Sequence, residues 1–161
     1  MIVQKAKPSH FQEIVNIYNW AVENTTATFD TEIKDLNNYS SFLESFIKFP
    51  LLVYLEGSVV IGWACLKPYS DRSAYDDTVE LSIYIHPDHH GKKIGSILME
   101  RLLSEAKGLD LHTILSRVTS ESIPSVKLHE KFNFFLVGTM REVGFKFNRR
   151  VDVHFMQKVL K

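Results

Sequence analysis

The apolar residues of this chain follow two spacings, one typical of helices and one of strands. Helical spacing of three to four residues begins after Pro8, resumes over residues 35–48 and recurs over residues 93–107. Pro50 ends the second stretch because proline cannot continue helical hydrogen bonding. With a further helix near residues 122–132, the pattern predicts four helices.

Strand patterns fill most of the remaining chain. Residues 78–85 alternate strictly, with Val79 and Leu81 among the apolar positions and Glu80 among the polar ones. Two apolar runs joined by a turn around Gly57 predict an antiparallel hairpin. Further strands are predicted at residues 1–6, 113–119, 135–147 and 151–159. This order predicts an α/β fold in which helices flank a mixed sheet.

Composition adds a size, a charge balance and a compartment. The 161 residues, 45% of them hydrophobic, fit a single domain spanning residues 1–161. Nineteen Lys and Arg balance nineteen Asp and Glu, so we expect neither nucleic-acid nor membrane partners. Without a leader pattern or a long apolar run, the chain is expected to be cytoplasmic. The single cysteine, Cys65, lies in an apolar run and is expected to be a buried, inert thiol.

The turn at residues 86–96, between the alternating strand and the next helix, has the composition of an anion site. Glycines allow close approach of the backbone, lysines add positive charge and helix N-terminal amides are unpaired; the residues are Gly91, Lys92, Lys93, Ile94, Gly95 and Ser96. An ordinary turn with solvated lysines explains the same residues. Neither the Walker A nor the dinucleotide motif is present. The adjacent His86, Asp88, His89 and His90 lack spaced partners, so no metal site is predicted.

Motifs along nearly the whole chain resemble the GNAT superfamily of N-acetyltransferases, within it the phosphinothricin and methionine sulfone or sulfoximine acetyltransferase-like group. They include Thr-Phe-Asp-Thr-Glu at residues 28–32 and Arg-Ser-Ala-Tyr-Asp-Asp-Thr-Val-Glu at residues 72–80. Pro-Ser-Val-Lys-Leu-His-Glu at residues 124–130 and Gly-Phe-Lys-Phe at residues 144–147 continue the likeness. The resemblance implies a mostly antiparallel sheet of about six or seven strands, about four helices and a splayed parallel strand pair.

The resemblance also implies acetyl-CoA as co-substrate and no metal. The pantetheine arm would pair with Ile83, Tyr84 and Ile85, and the turn at residues 91–96 would hold the pyrophosphate. A backbone N–H near Ser82 or Ile83 would polarise the thioester carbonyl. Two residues depart from the family pattern: Lys93 replaces the first motif glycine, and Ser122 stands where an Asn is usual. Whether Lys93 is tolerated depends on its φ angle.

The resemblance points to catalytic and substrate-binding residues. Glu80 matches the catalytic base and His129 the position of the acid; the alternatives are a solvated strand carboxylate and a packed histidine. Arg72 and Tyr75 are suited to recognise a substrate carboxylate. The alternatives are a surface salt bridge for Arg72 and a packed ring for Tyr75. The same pocket is expected to include Phe29 and Lys146. Dimer contacts, or ordinary sheet burial, would explain the apolar residues Phe145, Phe147, Val151 and Phe155.

Three functions fit these residues. The first is direct transfer of an acetyl group from acetyl-CoA to the amine of a small amino acid of the phosphinothricin or methionine sulfone type. The second is an acetyl-CoA-binding module without turnover, which the changes at Lys93 and Ser122 allow. The third is acetylation of peptides or proteins. Glu80, Arg72 and His129 together favour the first, and the group implies a homodimer.

Overall fold

A computed structural model describes residues 2–46 and 48–160. Seven strands form one sheet in the order β1-β2-β3-β4-β5-β7-β6. The strands are β1 (Ile2–Lys5), β2 (Leu51–Glu56), β3 (Val59–Pro68), β4 (Thr78–Ile85), β5 (Thr113–Thr119), β6 (Phe135–Lys146) and β7 (Arg149–Val159). The helices are α1 (Phe11–Asn24), α2 (Leu36–Glu44), α3 (Ile94–Lys107) and α4 (Ile123–Lys131).

The predicted elements are confirmed in type and order, with changes at their ends. The helix expected over residues 35–48 ends at Glu44, where the Ser45 hydroxyl donates to the Phe42 carbonyl at 2.6 Å and closes the last turn. The segment between β3 and β4 contains a 3-10 turn, Ser73–Tyr75. Parts of the first predicted strand and of the second predicted helix fall on Met1 and Ile47, which lie outside the described residues.

The sheet separates two apolar cores because successive residues of a strand point to opposite faces. Ala64 and Leu66 of β3 pack in the core under α3, whereas Trp63 and Cys65 pack in the core under α1 and α2. Cys65 is a free, buried cysteine, as expected, and burial raises the pKa of its thiol to about 12. The thiolate that would act as a nucleophile is therefore not formed near neutral pH.

Strands β4 and β5 are parallel and separate halfway along their length. Their pairing runs from Thr78 opposite Thr113 to Glu80 opposite Leu115 and stops there. Beyond that point β4 stays paired only with β3, and β5 only with β7. The strands open into a V, which confirms the splayed pair implied by the resemblance. One backbone edge of each strand is left facing the gap between them.

Strand β6 is an edge of the sheet and carries an unusual amount of exposed apolar surface. Its only strand partner among the described residues is β7. More than a third of the surface of each of the following residues is exposed: Phe135, Leu136, Val137, Met140, Val143 and Phe145. Phe147 in the adjoining turn is also exposed, whereas Val151 is buried. Within residues 2–46 and 48–160, no helix has the length and apolarity to cross a membrane.

Candidate active site

A single continuous cleft of about 1350 Å³ opens where β4 and β5 separate. One end lies at the turn before α3, and the other lies between β4 and the loop that follows α1. Its volume exceeds the roughly 300–1,000 Å³ of ordinary small-molecule pockets. The cleft can therefore accommodate a long co-substrate and a small acceptor together.

The turn before α3 presents backbone amides to the cleft. The first helical hydrogen bond runs from the Ile97 amide to the Lys93 carbonyl at 3.2 Å, so the amides of residues 94–96 precede it and have no helical acceptor. Gly91 has φ 76° and Lys93 has φ 64°. Lys93 thus adopts the left-handed conformation that a glycine would adopt at lower energy. The substitution keeps the turn geometry at a cost in strain.

Side chains from α3 and α4 meet beside this turn. A Cβ on Gly95 would lie 3.2 Å from Leu128, so the glycine allows α3 to approach α4 closely. Lys131 donates a hydrogen bond from Nζ to the Ser96 hydroxyl at 3.1 Å and brings a cation that the sequence pattern did not indicate. Ser122 is the N-cap residue of α4 and also lines the cleft. Lys92 does not line the cleft.

The cofactor edge predicted on β4 also lies in the cleft, since Ile83, Tyr84 and Ile85 all line it. The Tyr84 ring packs against Trp63 with centroids 4.8 Å apart and meets Tyr18 edge-on at 5.1 Å. These contacts fix the direction of β4 beyond its last pair with β5. The packing of the Tyr84 ring on Trp63 and Tyr18 therefore keeps the unpaired backbone edge of β4 open towards the cleft.

Glu80 lies where the two strands separate, and it is 8% exposed. Arg117 of β5 donates to both of its carboxylate oxygens, from Nε at 2.7 Å and from Nη2 at 2.8 Å. Lys67 of β3 lies 3.6 Å from the same carboxylate. The hydrogen bonds to Glu80 raise the pKa of Arg117, even though burial opposes this. The predicted base is thus a paired, nearly buried carboxylate and not a solvated one.

His129 of α4 is 3% exposed and lines the cleft. Its Nδ1 lies 2.7 Å from the Ser125 carbonyl oxygen, which can only accept, so Nδ1 carries the proton. Nε2 is buried and has no partner in the described part of the chain. Burial lowers the pKa of His129, which favours the neutral ring. A neutral His129 offers a lone pair at Nε2, so the acid role predicted for it requires a proton to arrive there first.

The loop after α1 forms a wall of the second end of the cleft, between this loop and β4. This end is called the acceptor end below. The Tyr18 hydroxyl donates to Asp30 at 2.6 Å and lies 2.8 Å from the Thr28 hydroxyl. Burial and the bond to Asp30 raise the pKa of Tyr18. Lys34 pairs with Asp30 at 2.9 Å. Burial alone would raise the pKa of Asp30, but the hydrogen bonds from Tyr18 and Lys34 outweigh burial and lower it.

Two predicted substrate residues belong to this wall in different ways. Phe29 lines the cleft, and its ring occupies the space that a Cβ on Gly144 would need. Lys146 does not line the cleft: its buried ammonium donates to the carbonyls of Thr25 at 2.8 Å and of Thr28 at 2.9 Å. Burial lowers the pKa of Lys146. Lys146 thus holds the loop that presents Phe29.

A second ion pair ties this loop to the end of β5. Arg149 donates to both oxygens of Glu121, at 2.5 and 2.6 Å, and the Thr26 hydroxyl donates to the same carboxylate at 2.6 Å. The bonds from Arg149 and Thr26 lower the pKa of Glu121 to about 2. The loop, β5 and β7 are therefore fastened together beside Ser122.

Arg72 and Tyr75 are not brought to the cleft. Both are exposed on the segment before β4, where Arg72 directly precedes the 3-10 turn. The Tyr75 ring meets Tyr69 edge-on, with centroids 5.2 Å apart. Neither residue is among those that line the cleft in the described chain. The cations that line the cleft beside Glu80 are instead Lys67 and Arg117, which the sequence analysis did not identify.

The signal for Lys67 and Arg117 lies in strand pairing and not in a motif. Lys67 stands directly opposite Glu80 in the β3–β4 register, and Arg117 is two residues beyond Leu115, the β5 partner of Glu80. Residues two apart on a strand share a face. Knowledge of the strand order would have grouped these three residues. Among residues 2–46 and 48–160, no cluster of three or more His, Cys, Asp or Glu side chains is arranged to hold a metal ion.

A parallel strand pair that opens over an amide-rich helix N-terminus defines a coenzyme A-dependent acyltransferase cleft. A model of the acetyltransferase (GNAT) family matches residues 14–134. The chain therefore belongs to the GNAT family. It is an N-acetyltransferase that uses acetyl-CoA.

Several proteins are similar to this chain over almost its full length. The L-amino acid N-acyltransferase MnaT of Escherichia coli is 34% identical over 98% of this chain and 92% of that protein. The L-methionine sulfoximine/L-methionine sulfone acetyltransferase of Salmonella typhimurium is 33% identical over 98% of this chain and 93% of its own. The crystal structure of a phosphinothricin acetyltransferase from Sinorhizobium meliloti in complex with acetyl-CoA superposes with a TM-score of 0.96 at 29% identity, covering 99% of this chain and 88% of that one.

Proposed function

We propose that the acceptor is a small α-amino acid of the methionine sulfone, methionine sulfoximine or phosphinothricin type. The observation that carries the proposal is the pairing of Lys67, Glu80 and Arg117 at the point where β4 and β5 separate. This arrangement offers a carboxylate to an ammonium group and cations to a carboxylate. The substrates named for the similar proteins support the same class.

Acetyl-CoA supplies an acetyl group activated as a thioester; a C–N bond to the amine forms as the C–S bond breaks. The amides of residues 94–96, Lys131 and Ser122 would bind its phosphate end, and the open edge of β4 its pantetheine arm. An amide of Ser82 or Ile83 would donate to the thioester carbonyl. The fit rests on the splayed strands, the unpaired amides and the volume of the cleft.

Glu80 would take the proton that the ammonium must lose before it attacks. A carboxylate has about four lone-pair sites, and Arg117 occupies two of those on Glu80. The remaining sites can accept from the amine, either directly or through one water. The bidentate pair also fixes the carboxylate orientation, so Arg117 acts as a positioning residue.

His129 would serve the leaving thiolate only after Nε2 has accepted a proton. The Ser125 carbonyl holds the ring in one tautomer, which leaves the Nε2 lone pair free to accept it. His129→Ala is expected to lower kcat by about 10- to 100-fold while the Kd for acetyl-CoA stays within about threefold. Unchanged kcat in the folded variant would contradict this role.

The decisive experiment is thiol release from acetyl-CoA measured against methionine sulfone, phosphinothricin, polyamines and short peptides. We expect release with the two amino acids at a kcat/KM at least tenfold above that with polyamines or peptides. Release with peptides alone would favour protein acetylation. Release with none, despite acetyl-CoA binding by calorimetry, would favour the binding module.

The proposal extends to the assembly, the domain and the location. Exposed apolar residues on the β6 edge, including Val137 and Phe145, support a homodimer, because edge strands with apolar surface tend to be covered. Sedimentation velocity of the wild type and of Val137→Lys would test this: a variant that sediments like the wild type would rule β6 out as the contact.

We also propose one catalytic domain over residues 1–161. Cytoplasmic location is consistent with the free Cys65 and with acetyl-CoA as co-substrate.

A further inference from the structure

Three neighbouring strands place a row of charges across one face of the sheet. Lys67 on β3 is the register partner of Glu80 on β4. Leu115 on β5 is the register partner of Glu80 on the other side, and Arg117 follows two residues later on the same face. All three charged residues line the cleft. The row reads cation, anion, cation.

The two cations are engaged with Glu80 to different degrees. Arg117 donates hydrogen bonds from Nε and Nη2 to the carboxylate, at 2.7 and 2.8 Å, and its Nη1 has no partner within the described residues. Lys67 lies at 3.6 Å, which exceeds hydrogen-bonding distance, and its ammonium has no other ion pair and no hydrogen bond among residues 2–46 and 48–160. Three ammonium donors and one guanidinium N–H2 group are therefore free to bind a ligand.

The other carboxylates of the cleft do not neutralise this excess. Asp30 is paired with Lys34 at 2.9 Å and accepts from Tyr18. Glu121 is paired with Arg149 through two bonds. Each acid thus has its own cation, and the Lys67–Glu80–Arg117 row carries one uncompensated positive charge. An anion that enters the acceptor end meets that charge first.

We propose that Lys67 and the free Nη1 of Arg117 bind the α-carboxylate of the acceptor, an inference that rests on the proposed function. In an α-amino acid, the nitrogen is two bonds from the carboxylate carbon. A carboxylate held by Lys67 therefore sets the ammonium beside Glu80, whose free lone pairs accept from it. The row recognises the zwitterion as a unit and orients the attacking nitrogen.

This assignment replaces Arg72 as the carboxylate-binding residue. Arg72 is exposed on the segment before β4 and does not line the cleft, whereas Lys67 and Arg117 do. Arg72 therefore provides a matched control, because it is a nearby cation that the proposal leaves without a role. The two assignments make opposite predictions for the same pair of variants.

The test uses two acceptors that differ only in the carboxylate, L-methionine sulfone and 3-(methylsulfonyl)propylamine. Lys67→Met is expected to raise KM for the amino acid by about 10- to 100-fold while kcat stays within about threefold. The variant is expected to change KM for the amine less than twofold. Lys67→Arg should restore most of the affinity, and Arg72→Gln should leave both acceptors unchanged.

The outcomes separate failure of the subsite from failure of the function. Equal KM changes for both acceptors, no change for either, or an acid-specific effect of Arg72→Gln would overturn the subsite while acetylation itself stands. If the wild type acetylates other amines but neither of these two, the proposed acceptor class is wrong and the subsite falls with it. A circular dichroism melt of each variant verifies that the protein is folded.

Discussion

The two ends of the cleft present different kinds of chemical groups to a ligand. At the α3 end these groups belong to the backbone, namely the amides of residues 94–96 and the open edge of β4. At the acceptor end they are side chains carried by three strands, Lys67, Glu80 and Arg117. A backbone site depends on the fold and on a few φ angles. A side-chain site can change its specificity without altering the fold.

The largest effect is expected at the acceptor end from Glu80→Gln. The amide keeps the shape of the carboxylate but cannot take a proton from the ammonium, so kcat should fall by about 100-fold or more. The Kd for acetyl-CoA should stay within about threefold because the α3 end is untouched. Stopped-flow turnover and calorimetric binding separate the two quantities. Near-wild-type kcat would remove Glu80 from the chemistry and break the comparison.

A smaller effect, on stability, is expected from Gly144→Ala. The added methyl needs the space of the Phe29 ring, and the free energy of unfolding should fall by about 1–2 kcal/mol as the ring moves away from β6. Gly138→Ala on the same strand is the control, because a Cβ there meets nothing within 4 Å. Urea denaturation of both variants measures the difference. If the two variants lose equal stability, the packing of Phe29 on Gly144 is not what shapes the acceptor wall.

At the α3 end, Lys93→Gly should stabilise the protein by about 0.5–1 kcal/mol. Relief of the left-handed strain at φ 64° outweighs the entropy that glycine loses on folding. Lys92→Gly, where φ is not positive, should not stabilise. Affinity for acetyl-CoA should fall less than tenfold, because the amides remain after the charge is lost. A larger fall would mean that side-chain charge dominates at this end too.

The smallest effect concerns the Glu121–Arg149 pair, which fastens the loop after α1 to β5 and β7. The pKa of Glu121 is about 2 in the folded chain, below the 4.5 of an unperturbed Glu carboxyl, so its stabilisation is fully present above pH 4.5 and is lost as the pH falls towards 2. The pair is exposed to solvent, which screens the attraction between the two charges, so its contribution to stability is small. Thermal melts from pH 6 to pH 3 should show a shallower loss in Glu121→Gln than in the wild type. Identical slopes would show that the pair does not stabilise the fold.

Most of the fold was predictable because spacing and turn residues specify it locally. The strict alternation of residues 78–85 predicted β4, and Gly57 predicted the hairpin of β2 and β3. The end of α2 at Glu44 was not predictable, since apolar spacing continues while a local hydroxyl bond closes the helix. Helix ends depend on such single contacts, which periodicity does not report.

The candidate site divides along the same line as the cleft. The α3 turn could be predicted from glycines and lysines that are adjacent in sequence, although the left-handed conformation of Lys93 could not. The pairing of Glu80 with Arg117 joins residues 37 positions apart, and it needed the strand order to be seen. Lys146 has a charged side chain of the kind that binds substrates, but its ammonium donates to two backbone carbonyls instead. Sequence distance, more than residue type, set the limit of prediction.

The buried Cys65 has a practical consequence for following this enzyme in solution. Maleimide and iodoacetamide probes react with thiolates, and a thiol with a pKa of about 12 in a fully packed core will not label at neutral pH. One cysteine introduced on the exposed β6 edge would therefore take up a fluorophore at a single known position. The wild-type background needs no cysteine removal, so the packing of the core under α1 and α2 stays intact while association or acceptor binding is monitored.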